Sequence, residues 1–345
     1  MNKPLKNKTL KNNSSQSVFS HTTDWSDINW RKIKKSTEKL QWRIFRVRIK
    51  NNYRQVKRLQ RMLIYKKSTL LLAIKRVTMI DKDKISHDIE GFISLGDKEL
   101  AELFDTMKTM NIKLHKPKPA YHNHIKTKKG KLRSVGMPTI RDWVYQEITR
   151  MTLEPQFEIS FEPSIYGFRP NRSCKMALEE IRKIITSTNW NWVFKSDFNS
   201  CFDTISHDFI LNQMVGFQLR DLIAKFLKAG YLDNNVFNSF DDGTPQAGPL
   251  LPLLANIALN GMEKALGIVH SITEDGDIYE TKGKYRMIRY AGDFLIFADS
   301  KEDIEAIPNI LNPYLEERGL KLDENKMDII KVSDGFDFLG HNFRK

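Results

Sequence analysis

Apolar residues recur at steps of three and four from Phe45 through Ile49, Tyr53, Val56 and Leu59 to Leu63. That spacing draws one stripe along an amphipathic helix. It predicts helix over residues 24–77, with Asn51-Asn52 as the place where it divides in two. Trp25, Trp30 and Trp42 lie nearby and read as packing anchors, with stacking platforms as the alternative. Residues 97–115 read as a further helix. From Tyr121 to Pro138 the pattern changes to a hairpin with a Lys-Gly turn at Lys129-Gly130. A helix over Arg141–Leu153, a Pro/Gly-rich segment and a helix near Cys174–Ile185 follow. Val193-Phe194-Lys195-Ser196-Asp197 is a short apolar strand that ends in a carboxylate. Later, two apolar runs flank the small-residue turn of Tyr290-Ala291-Gly292-Asp293, a second hairpin.

Charge changes this picture at one end. The net charge is +14 over 345 residues. Residues 1–80 carry 21 Lys/Arg against 3 Asp/Glu, and the remainder carries 35 against 39. The surplus therefore lies on the N-terminal arm, where Arg43, Arg46, Arg48, Lys50, Arg54, Lys57, Arg58 and Arg61 fill the faces beside the apolar stripe. Such a block suits a polyanion, through phosphate neutralisation and counterion release. A solvated tail and a membrane-surface helix are the other readings. Residues 1–22 are rich in Lys, Asn and Ser and contain no acidic residue. They read as a disordered leader, or as an organelle transit segment short of arginine. No apolar run is long enough to span a membrane. Cys174 and Cys201 form no metal-ligand cluster. His122 and His124 alternate on a strand with no cysteine or acidic residue near them, a poor metal site.

A Gly243-Thr244-Pro245-Gln246-Ala247-Gly248 loop stands before a helix, between the Asp197 strand and the Tyr290–Asp293 hairpin. That order resembles the palm of reverse transcriptases. Four more segments resemble the group II intron-encoded reverse transcriptase/maturase family: Ser134–Asp142, Leu153-Glu154-Pro155, Tyr166–Ser173 and Phe338–His341. So does the basic helical stretch before residue 78. The resemblance implies an α+β right hand of fingers and palm, with an antiparallel palm sheet and helices on one face, behind a basic α-helical extension. The expected divisions are a leader (1–23), the extension (24–80), fingers (81–185) and palm (186–345). It implies Mg²⁺ held by Asp197, the Phe198 carbonyl and the hairpin carboxylates, stabilising the attacking and leaving oxygens of an in-line displacement. It also implies Phe202 as the ring that selects deoxynucleotides, Gln246 in the nucleotide pocket, and Lys131 and Arg133 on the triphosphate. A core aromatic and solvated charges are the plain readings of these residues.

One departure bears on the chemistry. Active members of the family carry Tyr-Ala-Asp-Asp in the hairpin, and here Gly292 stands at the first aspartate. Asp299 lies six residues beyond Asp293, ~20 Å along a strand, too far to compensate. Losing a ligand to a catalytic metal should forfeit roughly a thousandfold in rate. A hairpin turn tolerates glycine easily, which is compatible with that loss. Ala247 and Leu251 also replace family residues, and Ser86–Gly91 matches only faintly. The chain stops just past the Phe338–His341 segment, so the helical thumb, DNA-binding and nuclease regions of full-length relatives are expected to be missing. Three functional readings follow: an RNA-binding protein that serves its host intron without polymerising, an active RNA-directed DNA polymerase on a DNA primer and template, and an inert remnant. The abundance of Lys, Asn and Ile suggests an A+T-rich genome, such as a plastid's, with the bacterial cytoplasm as the alternative.

Overall fold

The computed structural model describes residues 25–80, 96–126, 132–187, 190–198, 204–233, 236–238, 248–272 and 278–345. The leader, Ser86–Gly91 and the Lys129-Gly130 turn lie outside them.

The N-terminal arm is three helices. α1 (Trp30–Ile49) begins where the Asn29 side chain accepts the Lys32 N–H at 3.0 Å. α2 (Tyr53–Ile64) begins the same way, with Asn52 accepting from Gln55 at 3.1 Å. These side-chain caps satisfy amides that have no partner in the helix. Between them Asn51 adopts a left-handed φ of 51°, a conformation asparagine tolerates better than most residues. The break thus falls at Asn51-Asn52 as the sequence indicates. It also resets the helical phase, so the stripe is not continuous. Leu40 and Ile44 of α1 bury against Val56, Leu59 and Leu63 of α2, while Ile49 and Tyr53 stay exposed. Trp25 is buried as an anchor, but Trp42 is exposed. α3 (Lys67–Ile80) is buried along Leu71, Ala73 and Ile74.

α4 (Asp97–Thr109) is shorter than its periodicity suggests, because Met110 turns extended before a 3₁₀ turn at Ile112–Leu114. β1 (Ala120–Lys126) and β2 (Leu132–Met137) form the expected hairpin, with Tyr121 opposite Met137. α5 (Ile140–Phe157) runs past Leu153 and contains Pro155. A proline there leaves the carbonyl four residues back without its donor. That carbonyl, Met151, instead accepts the Gln41 side-chain amide at 2.8 Å, which fastens α1 to α5. Arg76 of α3 reaches Glu147 at 2.9 Å, and Arg150 spans Glu147 and Glu154 at 2.7 Å each. α6 (Cys174–Thr186) starts at a Ser173 cap.

The central sheet follows. β3 (Trp192–Ser196) leads through α7 (His207–Gln213) and α8 (Arg220–Leu227) to β4 (Tyr231–Asp233) and β5 (Val236–Asn238). β4 joins β1 in parallel, giving a sheet of order β2-β1-β4-β5. α9 (Leu251–Ala258) and α10 (Met262–Ala265) precede the hairpin of β6 (Val269–Ile272) and β7 (Ile278–Lys282). The chain ends in β8 (Arg286–Tyr290), β9 (Asp293–Ala298), α11 (Lys301–Glu305), α12 (Ile307–Glu316), β10 (Asp328–Lys331), β11 (Phe336–Phe338) and β12 (His341–Phe343). The order β10-β3-β9-β8 is antiparallel throughout.

Side chains of β9 alternate between two cores. Phe294, Ile296 and Ala298 enter the large one, which also takes residues of α5, α7 to α9 and α12. Leu295 and Phe297 enter a second with Leu178 and Ile181 of α6 and with Phe336 and Phe343. The sheet is therefore covered by helix on both faces, not one. An unbroken apolar run such as Phe294–Ala298 is what a strand buried on both sides requires. Among the described residues no helix is long and apolar enough to cross a membrane.

Candidate active site and nucleic-acid interface

The carboxylates come together at the ends of β3 and β9. Ser196 pairs with Phe294, so Asp197 and Asp293 stand one step further along, side by side at the ends of the two central strands. The β8–β9 turn is Ala291-Gly292, closed by the Tyr290–Asp293 pair. Its left-handed residue is Ala291, with φ 58°, and Gly292 has no positive φ. Backbone geometry therefore does not require glycine at 292. A Cβ built on Gly292 would lie 2.6 Å from Asp197 Oδ1. The position of the family's carboxylate is thus directly against Asp197, and Asp197 occupies part of the space it would fill.

Asp197 already has partners. Oδ1 accepts the Phe198 N–H at 2.8 Å, and Oδ2 accepts from Lys326 Nζ at 2.8 Å. Lys326 also lies 3.4 Å from Asp323 Oδ2, and the Asp323 N–H donates to the Asp197 carbonyl at 3.1 Å. The hydrogen bond to Asp197 raises the Lys326 pKa. Asp293 is pushed above the usual carboxylate range, first by desolvation and then by Asp197, while Lys326 and Lys195 pull it down. Phe198 pairs with Leu322 in an isolated bridge, and its ring stacks on Phe294 at 5.0 Å.

These donors do not fit the pair of magnesium ions that the family resemblance implies. Mg²⁺ demands near-octahedral oxygen ligation. Here two carboxylates remain, one of them engaged by an ammonium, and Gly292 offers none. Among the described residues no group of three or more His, Cys, Asp or Glu is placed to hold a metal ion. Asp299 does not help, since it accepts from Asn191 Nδ2 at 2.7 Å at the far end of β9.

The turn itself is held firmly. Ile165 bridges Arg289, the Tyr166 N–H donates to the Arg289 carbonyl at 2.9 Å, and Arg289 Nη1 donates to the Ala291 carbonyl at 3.0 Å. A Cβ on Gly167 would collide with the Ala291 backbone nitrogen. Glycine at 167 is what lets the Tyr166–Phe168 segment lie against the turn. The Gly167 carbonyl in turn accepts from Asn256 of α9 at 2.9 Å. The Tyr166–Ser173 segment thus acts as a clamp on the hairpin, a role its spacing alone does not reveal.

Of the nucleotide-pocket candidates, Lys131, Phe202 and Gln246 lie outside the described residues. Arg133 is opposite Ile125 in the β1–β2 hairpin, and its side chain is likewise outside. Ala247 is not described either. The sequence pattern does not single out Lys326. It is 129 residues from Asp197, and no local spacing links them.

The basic candidates lie on the surface of α1, α2 and the turn between them. Arg43, Arg46, Lys50, Arg54, Lys57, Arg58 and Arg61 are exposed, and Arg48 is half-buried. Aromatic rings lie among them. Trp42, 59% exposed, stacks on Phe45 at 5.2 Å with an interplanar angle of 8°. Arg48 lies over the Tyr53 ring at 4.8 Å.

The family model for reverse transcriptase (RNA-dependent DNA polymerase) matches residues 100–343, and that for the N-terminal domain of reverse transcriptase matches 25–107. Protein YkfC of Escherichia coli is 32% identical over 258 residues, covering 66% of this chain and 67% of its own. The group II intron-encoded protein LtrA of Lactococcus lactis is 31% identical over 285 residues, covering 66% of this chain, which spans 47% of LtrA. Maturase-like protein 1 of Euglena gracilis is 24% identical over 93% of this chain and 65% of its own length. Among solved structures, a telomerase from Candida albicans aligns with a TM-score of 0.46 at 12% identity, over 67% of this chain and 44% of that one. The sequence segments, the antiparallel sheet and the family and relative matches agree: the chain belongs to the reverse transcriptase (RNA-dependent DNA polymerase) family, among the group II intron-encoded reverse transcriptases and maturases.

Proposed function

We propose that this protein binds its host intron RNA and serves splicing or mobility of that intron, with polymerase activity lost or strongly impaired. The observation that carries the reading is the contrast between its two surfaces. The α1–α2 face presents seven exposed Lys/Arg side chains interleaved with Trp42 and Tyr53. The carboxylate end has Gly292 in place of a ligand and Lys326 on Asp197. RNA binding needs positive charge and stacking surfaces, whereas nucleotidyl transfer needs metal ligands. Residues 24–80 act as the RNA-binding extension, ahead of fingers (81–185) and palm (186–345).

The testing experiment measures structured-RNA binding and primer extension on the same protein. Binding without extension is expected. Extension at the rate of an intact relative favours the active-polymerase reading, with Mg²⁺ as cofactor and a DNA primer and template as partners. Absence of both activities favours an inert remnant. The Lys-, Asn- and Ile-rich composition supports an organelle, such as the plastid, with a bacterial cytoplasm as the alternative.

A further inference from the structure

A cavity of about 210 Å³ opens where α2 meets the end of α5 and the segment 212–217, which is the end of α7 and the turn after it. Arg48, Tyr53, Lys57 and Gln60 form one wall, and Gln156 and Phe157 another. Among the described residues its charged lining is Arg48 and Lys57, with no acidic side chain. Lys57 is held at the rim. Gln218 Nε2 donates to the Lys57 carbonyl at 2.6 Å, and the ammonium lies where a Cβ on Gly216 would approach it to 2.7 Å.

Two polar atoms in these lining residues lack partners. Gln60 is 1% exposed, and its Nε2 donates to Gln156 Oε1 at 2.8 Å. Its Oε1 is buried and accepts nothing among the described residues. Arg48 Nη1 donates to Asn51 Oδ1 at 2.7 Å, but its buried Nε donates to nothing among them. Buried polar groups in native proteins are almost always satisfied. These two atoms are themselves closed off from solvent, so what the cavity presents is two cations, three aromatic rings and the amide side chains.

We infer that this cavity takes one unstacked nucleotide of the bound RNA. The phosphate falls to Lys57 and Arg48, and the base to the aromatic and amide walls. Protein readout of RNA favours bases splayed out of the helix, stacked on rings and hydrogen-bonded at their edges. The volume is below the ~300–1,000 Å³ of pockets for whole small ligands, which suits a single base. The site adjoins the exposed Arg54, Arg58 and Arg61 of α2, which would carry the strand past its mouth. The inference rests on the proposal that the α1–α2 face binds RNA.

The test compares two RNA hairpins that differ by one bulged adenosine, with 2-aminopurine at the bulge as the reporter. The natural protein should bind the bulged RNA about tenfold more tightly, and fluorescence of the bulged base should change on binding. Val215 lines the cavity and is 77% exposed, so Val215→Trp narrows the mouth without disturbing the core. That variant should lose the tenfold preference and keep its affinity for the fully paired hairpin. Equal affinity of the natural protein for both hairpins overturns the inference and leaves the RNA-binding proposal standing. So does a preference that survives Val215→Trp, since ordered water then fills the cavity. Failure of the natural protein to bind either hairpin overturns both.

Discussion

Replacing Gly292 by aspartate restores the carboxylate that the hairpin lacks, and the structure indicates its cost. The new Cβ would start 2.6 Å from Asp197 Oδ1, so Asp197 must swing away from its Phe198 N–H contact. Two carboxylates ~4 Å apart repel by about 4 kcal/mol at an effective dielectric constant near 20. Lys326, 2.8 Å from Asp197, offsets part of this. The metal-free variant should therefore be less stable than the natural protein by roughly 1–3 kcal/mol. Magnesium should recover part of that deficit. A site with Kd ~0.5 mM gains about 1.4 kcal/mol at 5 mM Mg²⁺ by mass action. Thermal unfolding with and without 5 mM Mg²⁺ reads both effects. The natural protein should show almost no Mg²⁺-dependent rise in Tm, and Gly292→Asp a clear one. Equal Mg²⁺ stabilisation of the two proteins would refute the reasoning, because Gly292 would then not have broken the metal site.

Other perturbations test other parts of the account. Changing Arg43, Arg46, Lys50, Arg54, Arg58 and Arg61 together to Gln should lower RNA affinity and flatten its log–log salt dependence by ~0.7–0.9 for each phosphate no longer neutralised; filter binding across a salt series measures it, and an unchanged slope contradicts the assignment of this face. Gly167→Ala should cost about 3 kcal/mol or more, because its methyl meets the backbone of the hairpin turn; urea unfolding gives the value, and a cost near zero contradicts the clamp. Arg150→Met should cost roughly 3 kcal/mol at neutral pH, since it strands the enclosed Glu154 and leaves Glu147 to Arg76 alone. Desolvation already raises the Glu154 pKa. A carboxyl with a native pKa above its unfolded value binds protons preferentially in the native state, so native stability rises as pH falls through that window. The Arg150→Met defect should therefore shrink as pH falls from neutral into the carboxylate range, and a defect that grows on acidification contradicts the assignment.

The elements bearing the carboxylates were legible because their signals are local. A strand ending in Asp197 and a hairpin closed by Tyr290 and Asp293 are each written within a few residues. Long-range relations were not. Nothing in the Asp323–Lys326 segment announces that its lysine reaches Asp197, and nothing near Gly167 announces the close approach to Ala291. The α1–α2 stripe misled for a definite reason: the turn at Asn51 resets the phase, so Ile49 and Tyr53 fall on the surface although their spacing matched Val56 and Leu59. The helix expected over Arg141–Leu153 runs on through Pro155 to Phe157, and Gln41 takes up the Met151 carbonyl that the proline leaves free. Two-faced burial of the sheet was implicit in the unbroken apolar run Phe294–Ala298, since a strand covered on one side alternates apolar with polar residues.

We propose that RNA recognition persists in this protein where nucleotidyl transfer has failed. The most direct test is primer extension on an RNA template with Mg²⁺, run beside equilibrium binding of the same RNA to the same protein. Salt-sensitive binding through the α1–α2 face is expected, with extension at background, roughly a thousandfold or more below an intact relative. Extension at the intact relative's rate by the natural protein, with Gly292 in place, would contradict the proposal.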